Sequence, residues 1–285
     1  MNVEGARCHH LSSIAAYRRT GPTRDAFSDG PPDNRPHLIQ WPESVRQRVG
    51  DEFFRPAKSE PPQPSSRVRE IRVEQLLRVQ NFNVSSDGIA AGEDQSLECP
   101  FGLDPGEMLA WAGATASWPM RTDPGGSLGL DDYFTRDFAR NIGAEIMGRN
   151  KFSPHRGPWN DHEWRGWWGD EPPFHTPVFV MTHHERPSFT LADTTFHFVD
   201  GDPATILEQA RQAAEGKDVR LGGGVTTIRQ FLDADLVDTM HVAVSPVKFG
   251  SGLRLWESPD ELRDRFHLEI VPSPSGVTHH LFWRK

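Results

Sequence analysis

The clearest hydrophobic pattern in the chain lies between Val219 and Val247 and predicts a strand, a glycine turn, a helix and a second strand. An apolar run ends at Leu221, and three glycines follow it directly at 222–224. Apolar residues then recur at the spacing that turns one face of a helix toward a core. These residues are Val225, Ile228, Phe231 and Leu232. Alternation between Thr239 and Val244 predicts the second strand and completes a β-α-β unit.

The same periodicities predict an ordered domain over residues 76–285. A strand near 76–84 is apolar on both faces, as expected for the centre of a sheet covered on both sides. Further strands are predicted at 144–147, 178–181, 195–199, 266–270 and 277–283. One helix follows Asp202-Pro203, which supply its cap and first turn. Another is predicted from Asp131, with Asp131 or Asp132 as its cap and with Phe134, Phe138, Ala139 and Ile142 buried.

These elements together predict an α/β fold. We expect a mostly parallel central sheet of about eight strands, flanked by helices, with a C-terminal antiparallel hairpin. Residues 1–68 are rich in proline and lack sustained periodicity. For them we expect a disordered arm, or a translated region in front of the true start, with at most a short helix at 41–54.

Two long irregular stretches, at about 89–130 and 152–176, contain several tryptophans. Loops of this length inside a compact domain are uncommon and often act as lids. The tryptophans could cover a flat ligand. They could equally fill a second small core or a contact in a homodimer, and the sequence favours neither alternative.

Composition narrows the function classes. The net charge of −9 disfavours a nucleic-acid surface. The chain has no apolar stretch long enough for a membrane span and no signal-like apolar start, so we expect a cytoplasmic protein. Two cysteines are too few for a disulfide framework or a cysteine-based zinc site. The pairs His183-His184 and His279-His280 would point to opposite faces of a strand, so we predict no metal site.

The glycine run itself permits two interpretations. Glycines let the backbone approach a ligand closely, and the free N–H groups at the helix start near Thr226 favour an anion such as a phosphate. A glycine run also lets a helix pack tightly on a sheet. The spacing does not match the G-x-G-x-x-G fingerprint of a dinucleotide-binding domain.

Four short motifs occur in a fixed order: Ser-x-Asp-Gly at 85–88, Gly-Ala-x-Ile-Met-Gly-Arg at 143–149, a strand that ends at Thr182, and Leu-Gly-Gly-Gly at 221–224. In this order and context they resemble the dihydrofolate reductase fold. The most similar branch is the C-terminal reductase domain of bacterial riboflavin-biosynthesis deaminase-reductases. The resemblance covers about residues 76–285 and implies a reductase that uses NADPH and a small-molecule substrate.

The resemblance also implies a cofactor site. The segment matching Gly148, Arg149 and Asn150 would begin a helix over the cofactor phosphates. The segment matching Thr182, His183 and His184 would lie beside the adenosine ribose and its 2′-phosphate. The glycine run would contact the pyrophosphate through Gly222, Gly223, Gly224, Val225 and Thr226. Arg149 would supply positive charge that this acidic domain otherwise lacks.

The substrate side is less defined. Ser85, Asp87 and Gly88 are predicted to bind substrate, and Asp87 is the candidate catalytic group, although Asp-Gly after a strand is also a turn signal. The helix that bears a catalytic carboxylate in dihydrofolate reductases offers three aspartates here, but the folate-site pattern around it is missing. Two functions remain. One is a reductase that transfers hydride to a small heterocyclic or carbonyl compound, and the other is a catalytically silent nucleotide-binding member of the fold.

Overall fold

The computed structural model describes residues 75–285. Its strands are β1 (Leu77–Ser85), β2 (Ile89–Ala91), β3 (Ile142–Gly148), β4 (Val178–Met181), β5 (Phe189–Leu191), β6 (Thr194–Val199), β7 (Asp218–Leu221), β8 (Thr239–Ser245), β9 (Leu253–Arg254), β10 (Phe266–Pro272) and β11 (Thr278–Arg284). Its α-helices are α1 (Gly106–Gly113), α2 (Leu130–Arg136), α3 (Arg149–Phe152), α4 (Pro203–Ala213) and α5 (Val225–Asp233). Short 3-10 helices lie at Asp137–Ala139 and Pro259–Leu262.

Nine of the strands form one sheet in the order β10-β11-β8-β1-β7-β3-β4-β6-β5. The strands from β8 to β6 in this order are parallel to their neighbours. The edge strand β5 is antiparallel to β6, and the hairpin β10–β11 joins β8 in antiparallel register. The predicted fold is therefore confirmed. The sheet has one strand more than expected because the three-residue β5 is too short to show a periodicity.

The central β-α-β unit forms as its pattern predicted. Helix α5 buries Val225, Ile228, Phe231 and Leu232 against the sheet. Helix α4 begins after Asp202, whose side chain accepts hydrogen bonds from the backbone N–H groups of Ala204 and Thr205 at 3.0 and 3.1 Å. That cap matches the one the sequence predicted, because Asp at the N-cap and Pro at N1 both suit the first helical turn.

Two predictions about the first half of the domain are wrong. Helix α2 begins after Gly129 without a side-chain cap, because the carboxylate of Asp132 instead accepts a hydrogen bond from the Ser117 N–H at 2.7 Å. Asp131 faces a histidine of β11. The helix ends at Arg136, and Ile142 already belongs to β3.

The stretch 89–130 also contains an unpredicted helix, α1. It buries Met108, Trp111 and Ala112, which have helical spacing. Glycines at both of its ends and the absence of a side-chain cap hide this short signal in the sequence.

The tryptophans of 152–176 contribute to a second core. Trp159 is buried with Phe152, Phe174 and Phe196, and Trp164 and Trp168 pack against this group over β4 and β6. Arg186 fixes this loop in place, because its guanidinium donates hydrogen bonds to the carbonyl groups of His162 and Trp164. A second core therefore forms here, while Trp164, Trp167 and Trp168 also line the cleft described below, so the interpretation that tryptophans cover a ligand stays a prediction.

The expectations for residues 1–68 and for a helix at 41–54 lie outside the described residues. Within 75–285, none of the helices combines the length and the apolar composition that crossing a bilayer requires.

Close packing of β3 on the end of α4 makes a specific prediction for Gly143. A Cβ at this position would lie 2.8 Å from the Cα of Ala214 and closer still to its carbonyl oxygen. We expect Gly143→Ala to cost about 1–3 kcal/mol through overpacking, which lowers Tm by several degrees. Gly113→Ala is the matched control, because nothing lies within 4 Å of its Cβ position. Equal melting temperatures for the two variants in calorimetry would contradict this packing.

Candidate functional site

A cleft of about 1530 Å³ opens where the parallel strands end. Its walls include the last residues of β3, β4, β6 and β7 together with the start of α5. The crevice outside the carboxyl ends of the strands is where open α/β sheets bind ligands. The middle of β1, the loop after β2 and helix α1 close the other half of the cleft.

All but one of the predicted cofactor residues line this cleft. They are Gly148, Arg149, Asn150, Thr182, His183, His184, Gly222, Gly224, Val225 and Thr226. Gly223 is absent from the lining. The structure therefore brings three separate predicted segments to one surface, which we call the glycine half of the cleft.

The three positions of the turn differ in what a side chain would meet there. A Cβ on Gly222 would collide with the carboxylate of Glu145. Gly223 has φ +103°, and a Cβ there would lie 3.0 Å from the ring of Phe82. Gly224, by contrast, has nothing within 4 Å of its Cβ position and faces the cleft. The first two glycines serve packing, and the third leaves space for a ligand.

Helix α5 starts at this open position. Gly224 is its N-cap and offers no side-chain hydrogen bond to the first turn. The first N–H groups of a helix have no intrahelical acceptor, and the helix dipole makes them attractive to an anion. Helix α3, by comparison, is a single turn, so its dipole adds little attraction for an anion at its start.

Arg149 lies at the edge of the glycine half. Its guanidinium carbon is 3.8 Å from the ring centroid of Trp159, and its Nη1 donates to the carbonyl of Gly157. Nε and Nη2 are buried and have no hydrogen-bond partner among residues 75–285. Burial lowers the pKa of Arg149 from its usual value. Unpaired buried donors are costly, so an anionic partner that reached them would be favoured.

A buried ionic cluster that the sequence did not reveal forms the floor of the glycine half. Glu145 on β3 lies opposite Arg220 on β7, and Nε of Arg220 donates to Oε2 of Glu145 at 2.8 Å. Nζ of Lys151 donates to Oε1 of the same carboxylate at 3.0 Å. Burial lowers the pKa of Lys151, Glu145 opposes that shift, and Arg220 adds to it. Lys151 also lines the cleft.

An acidic residue, Asp200, lies beside the segment 182–184 at the end of β4. Nδ1 of His183 lies 2.8 Å from the carboxylate of Asp200, which follows β6, and both side chains are exposed. The N–H of His184 donates to the Thr182 hydroxyl at 3.2 Å. The His184 carbonyl accepts from Trp159 at 2.9 Å, which connects this segment to the second core.

The predicted substrate residues Ser85, Asp87 and Gly88 do not line the cleft. The Asp87 carboxylate accepts hydrogen bonds from the Ser85 hydroxyl at 2.6 Å and from the Gly250 N–H at 2.7 Å. Burial alone would raise the pKa of Asp87, but these hydrogen bonds lower it. The carboxylate joins the turn after β1 to the loop after β8, and its catalytic role stays a prediction.

The other half of the cleft, which we call the amide half, has different chemistry. Gln80, Asn81 and Asn83 on β1 line it, together with apolar and aromatic walls. Those walls include Phe101, Met108, Leu109, Trp118 and Met120. The Oε1 of Gln80 is buried and has no partner within the described chain, so a donor that reached it would be favoured. Sequence reasoning missed these amides because polar residues on a strand usually indicate a solvent-facing side.

The family model for the RibD C-terminal domain matches residues 79–272. The chain therefore belongs to this family, as the motifs at 85–88, 143–149 and 221–224 predicted. This match defines the class of the domain that residues 79–272 form, and the observed α/β fold with its mostly parallel sheet agrees with it. No curated protein matches the sequence.

Three solved structures illustrate the similarity. A protein described as a riboflavin biosynthesis protein of Shewanella sp. PV-4 is 20% identical, with 74% of this chain and 98% of that chain covered and a TM-score of 0.45. Dihydrofolate reductase of Enterococcus faecalis, complexed with NADP(H) and RAB-propyl, is 12% identical, with 74% and 96% covered and a TM-score of 0.42.

The third is a diaminohydroxyphosphoribosylaminopyrimidine deaminase/5-amino-6-(5-phosphoribosylamino)uracil reductase of Thermotoga maritima. It is 15% identical, with 74% of this chain covered and a TM-score of 0.44. This chain spans 57% of the length of that protein.

The hydrogen bonds of Asp87 predict a structural effect of its removal. We expect Asp87→Asn to lower stability at neutral pH by about 1 kcal/mol, since charge-assisted bonds are lost at a partly exposed site. Because the folded pKa of Asp87 lies below 3.8, its contribution is present above that value and is lost as pH falls through the folded pKa. The melting temperatures of the wild type and the variant, measured from neutral pH down to about pH 2, should therefore become equal at the acidic end. Unchanged stability at neutral pH would contradict this structural role.

Proposed function

We propose that this protein is an NADPH-dependent reductase that transfers hydride to a small heterocyclic or carbonyl substrate. The observation that carries the proposal is the division of one cleft into a glycine half and an amide half. The first offers features that suit a phosphate, and the second is a largely apolar space bordered by residues with side-chain amides. A dinucleotide and a small second molecule would need adjoining surfaces of these two kinds.

The residues of the glycine half fit a dinucleotide. The open Gly224 and the N–H groups of the first turn of α5 would hold the pyrophosphate. Lys151 would add a positive charge from the floor, and its Glu145 partner fixes its position. When bound, the nicotinamide would supply the hydride, while the protein binds and orients it.

The amide half supports a heterocyclic substrate. Its described lining residues on β1, 90–101, 108–109, 118–120 and 138 include no lysine or arginine. Two arginines of the cleft lining contact this part of the chain: Arg156 donates to the Glu93 carbonyl at 3.2 Å, and Arg220 donates to the Phe138 carbonyl at 2.8 Å. The amides of Asn81 and Asn83 are already hydrogen-bonded within the protein, which fixes their orientation. A ring that stacks on an aromatic wall and donates an N–H to Gln80 suits this surface.

The preference between NADPH and NADH depends on two opposing groups. The unpaired donors of Arg149 would favour the 2′-phosphate, and charge-assisted hydrogen bonds are worth about 1.5–3 kcal/mol, or roughly ten- to a hundredfold in affinity. The Asp200 carboxylate beside His183 would repel the same phosphate. Because Asp200 is exposed and screened, we expect Arg149 to dominate and NADPH to bind more tightly.

A catalytically silent nucleotide-binding protein is the second candidate. It is favoured by the observation that Glu98 is the only carboxylate among the described residues of the amide half. Nucleotide binding without consumption of NADPH in the presence of any heterocyclic or carbonyl compound would support it.

Gly224 provides the sharpest test of dinucleotide binding. Gly224→Val places a side chain in open space, so it should reduce NADPH affinity at least tenfold, while Tm falls only by the few degrees that a poorer N-cap costs. Gly113→Val is the control for adding the same side chain away from the cleft. Calorimetric titration measures both. Undiminished affinity in Gly224→Val, or no heat with wild-type protein at millimolar NADPH, would overturn the proposed cofactor site.

The two groups near the 2′-phosphate should shift cofactor preference in opposite directions. We expect Arg149→Ala to remove most of the NADPH advantage over NADH. Asp200→Asn should raise it severalfold by removing a repelling charge. Asp193→Asn is the matched control, because Asp193 forms a similar exposed pair with His175 and does not line the cleft. Equal ratios of the two affinities in all four proteins would contradict this assignment.

A further inference from the structure

We propose that Asp131 and His279 are positioning residues for the amide half, and that they hold the Asn81 side chain through a hydrogen-bonded chain that is complete only when it carries one extra proton. The relevance of this hydrogen-bonded chain to a substrate rests on the proposed function. The existence of the hydrogen-bonded chain follows from the geometry alone.

Four hydrogen bonds form the chain. Asn81 Nδ2 donates to the Phe134 carbonyl at 3.0 Å, and Asn81 Oδ1 lies 2.8 Å from Nδ1 of His241. Nε2 of His241 lies 2.9 Å from Nδ1 of His279. Nε2 of His279 lies 2.8 Å from Oδ1 of Asp131. The chain therefore crosses from β11 through β8 to the cleft-lining Asn81 of β1.

The proton count follows from the groups at the two ends. The Phe134 carbonyl can only accept, so Asn81 must turn Nδ2 toward it and Oδ1 toward His241. Nδ1 of His241 then carries a proton, and Nε2 of the neutral ring must accept one from Nδ1 of His279. A neutral His279 is left with a lone pair on Nε2. That lone pair faces the carboxylate of Asp131, which also only accepts.

With both rings neutral and Asp131 ionised, one of the four contacts must therefore open. A single additional proton between His279 and Asp131 satisfies all four. His279 is fully buried and His241 is 8% exposed, so solvent cannot compensate for a missing contact. The proton count is a property of the whole chain of groups and not of one ring.

Aromatic packing makes the chain rigid. Phe134 stacks on His241 and His279 with ring centroids 4.2 and 4.3 Å apart. Trp111 meets His279 edge-on at 5.1 Å, and its Nε1 donates to Asn83 Oδ1 at 2.6 Å. Two of the amides of the cleft are thus attached to this one buried cluster.

The titratable groups around the cluster come from three elements. They are Asp131 of α2, His241 of β8, and His279 and His280 of β11. Burial lowers the pKa of His241 well below 6.5, and His279 and His280 add to that shift. Burial also lowers the pKa of His279, against the opposing effect of Asp131. Burial would raise the pKa of Asp131, but hydrogen bonds including that from His279 lower it. The complete chain is therefore expected below the usual histidine pKa, and opening of one contact is expected as pH rises.

Asp131→Asn tests the proton count directly. An asparagine at this position offers an Nδ2 donor to Nε2 of His279, so all four contacts form with two neutral rings and no extra proton. Nitrogen NMR of the histidine rings should show His279 doubly protonated in acid in the wild type and losing that proton below about pH 6.5. In Asp131→Asn it should remain neutral from about pH 5 to 8, with the Asn81 amide resonances unchanged across that range.

His280→Gln is the control, because His280 faces Thr278 and lies outside the chain. It should leave the titration of His279 in place. The proposal is overturned if Asp131→Asn titrates like the wild type, or if the wild type keeps all four contacts with both rings neutral. These readouts need neither substrate nor NADPH, so they test the chain even if the reductase assignment fails. If NADPH binding is confirmed and the chain is as proposed, Asp131→Asn should leave NADPH affinity unaltered, since the chain ends in the amide half.

Discussion

The glycine half of the cleft depends on the buried pairing of Glu145 with Arg220. The parallel register of β3 and β7 places these residues side by side, and the carboxylate also holds Lys151. Arg220 in turn donates to the Phe138 carbonyl at 2.8 Å and lies over its ring. Breaking such a pair leaves an uncompensated buried charge, which costs about 3–5 kcal/mol. The same carboxylate occupies the space that forces glycine at 222, so the ionic cluster and the glycine turn constrain each other.

The sequence predicted those parts of the structure that depend on local periodicity. The buried face of α5 and the N-cap at Asp202 appear as predicted, because each depends only on residues of a single helix. Glu145, Lys151 and Arg220 were missed because only strand register brings them together, and a charged residue in a strand usually indicates a solvent-facing side. Asp131 was misassigned as a cap for a related reason, since its partner His279 lies on the last strand.

The candidate site was predictable to a similar extent. The resemblance located the backbone segments of the glycine half, though not its ionic floor, because these segments follow directly after strands that the sequence also defined. The amide half could not be found in this way. Its surface comes from the middle of β1, where a bulge between Val79 and Phe82 and a positive φ at Asn81 turn the side chains away from simple alternation. No periodicity in the sequence marks a bulge.

The position of β1 in the sheet has a consequence for how the domain folds. This strand is the first of the described chain, yet it pairs only with β7 and β8, and a single backbone-to-side-chain bond joins Leu77 to Asp238 across 161 residues. Contacts this remote in sequence slow folding, because the intervening chain must be ordered before they form. During synthesis, β1 has no partner until β7 and β8 have left the ribosome, and its apolar faces stay exposed over that interval. This topology therefore makes the domain a candidate for chaperone assistance, and both halves of the cleft form late because both border β1 or its partners.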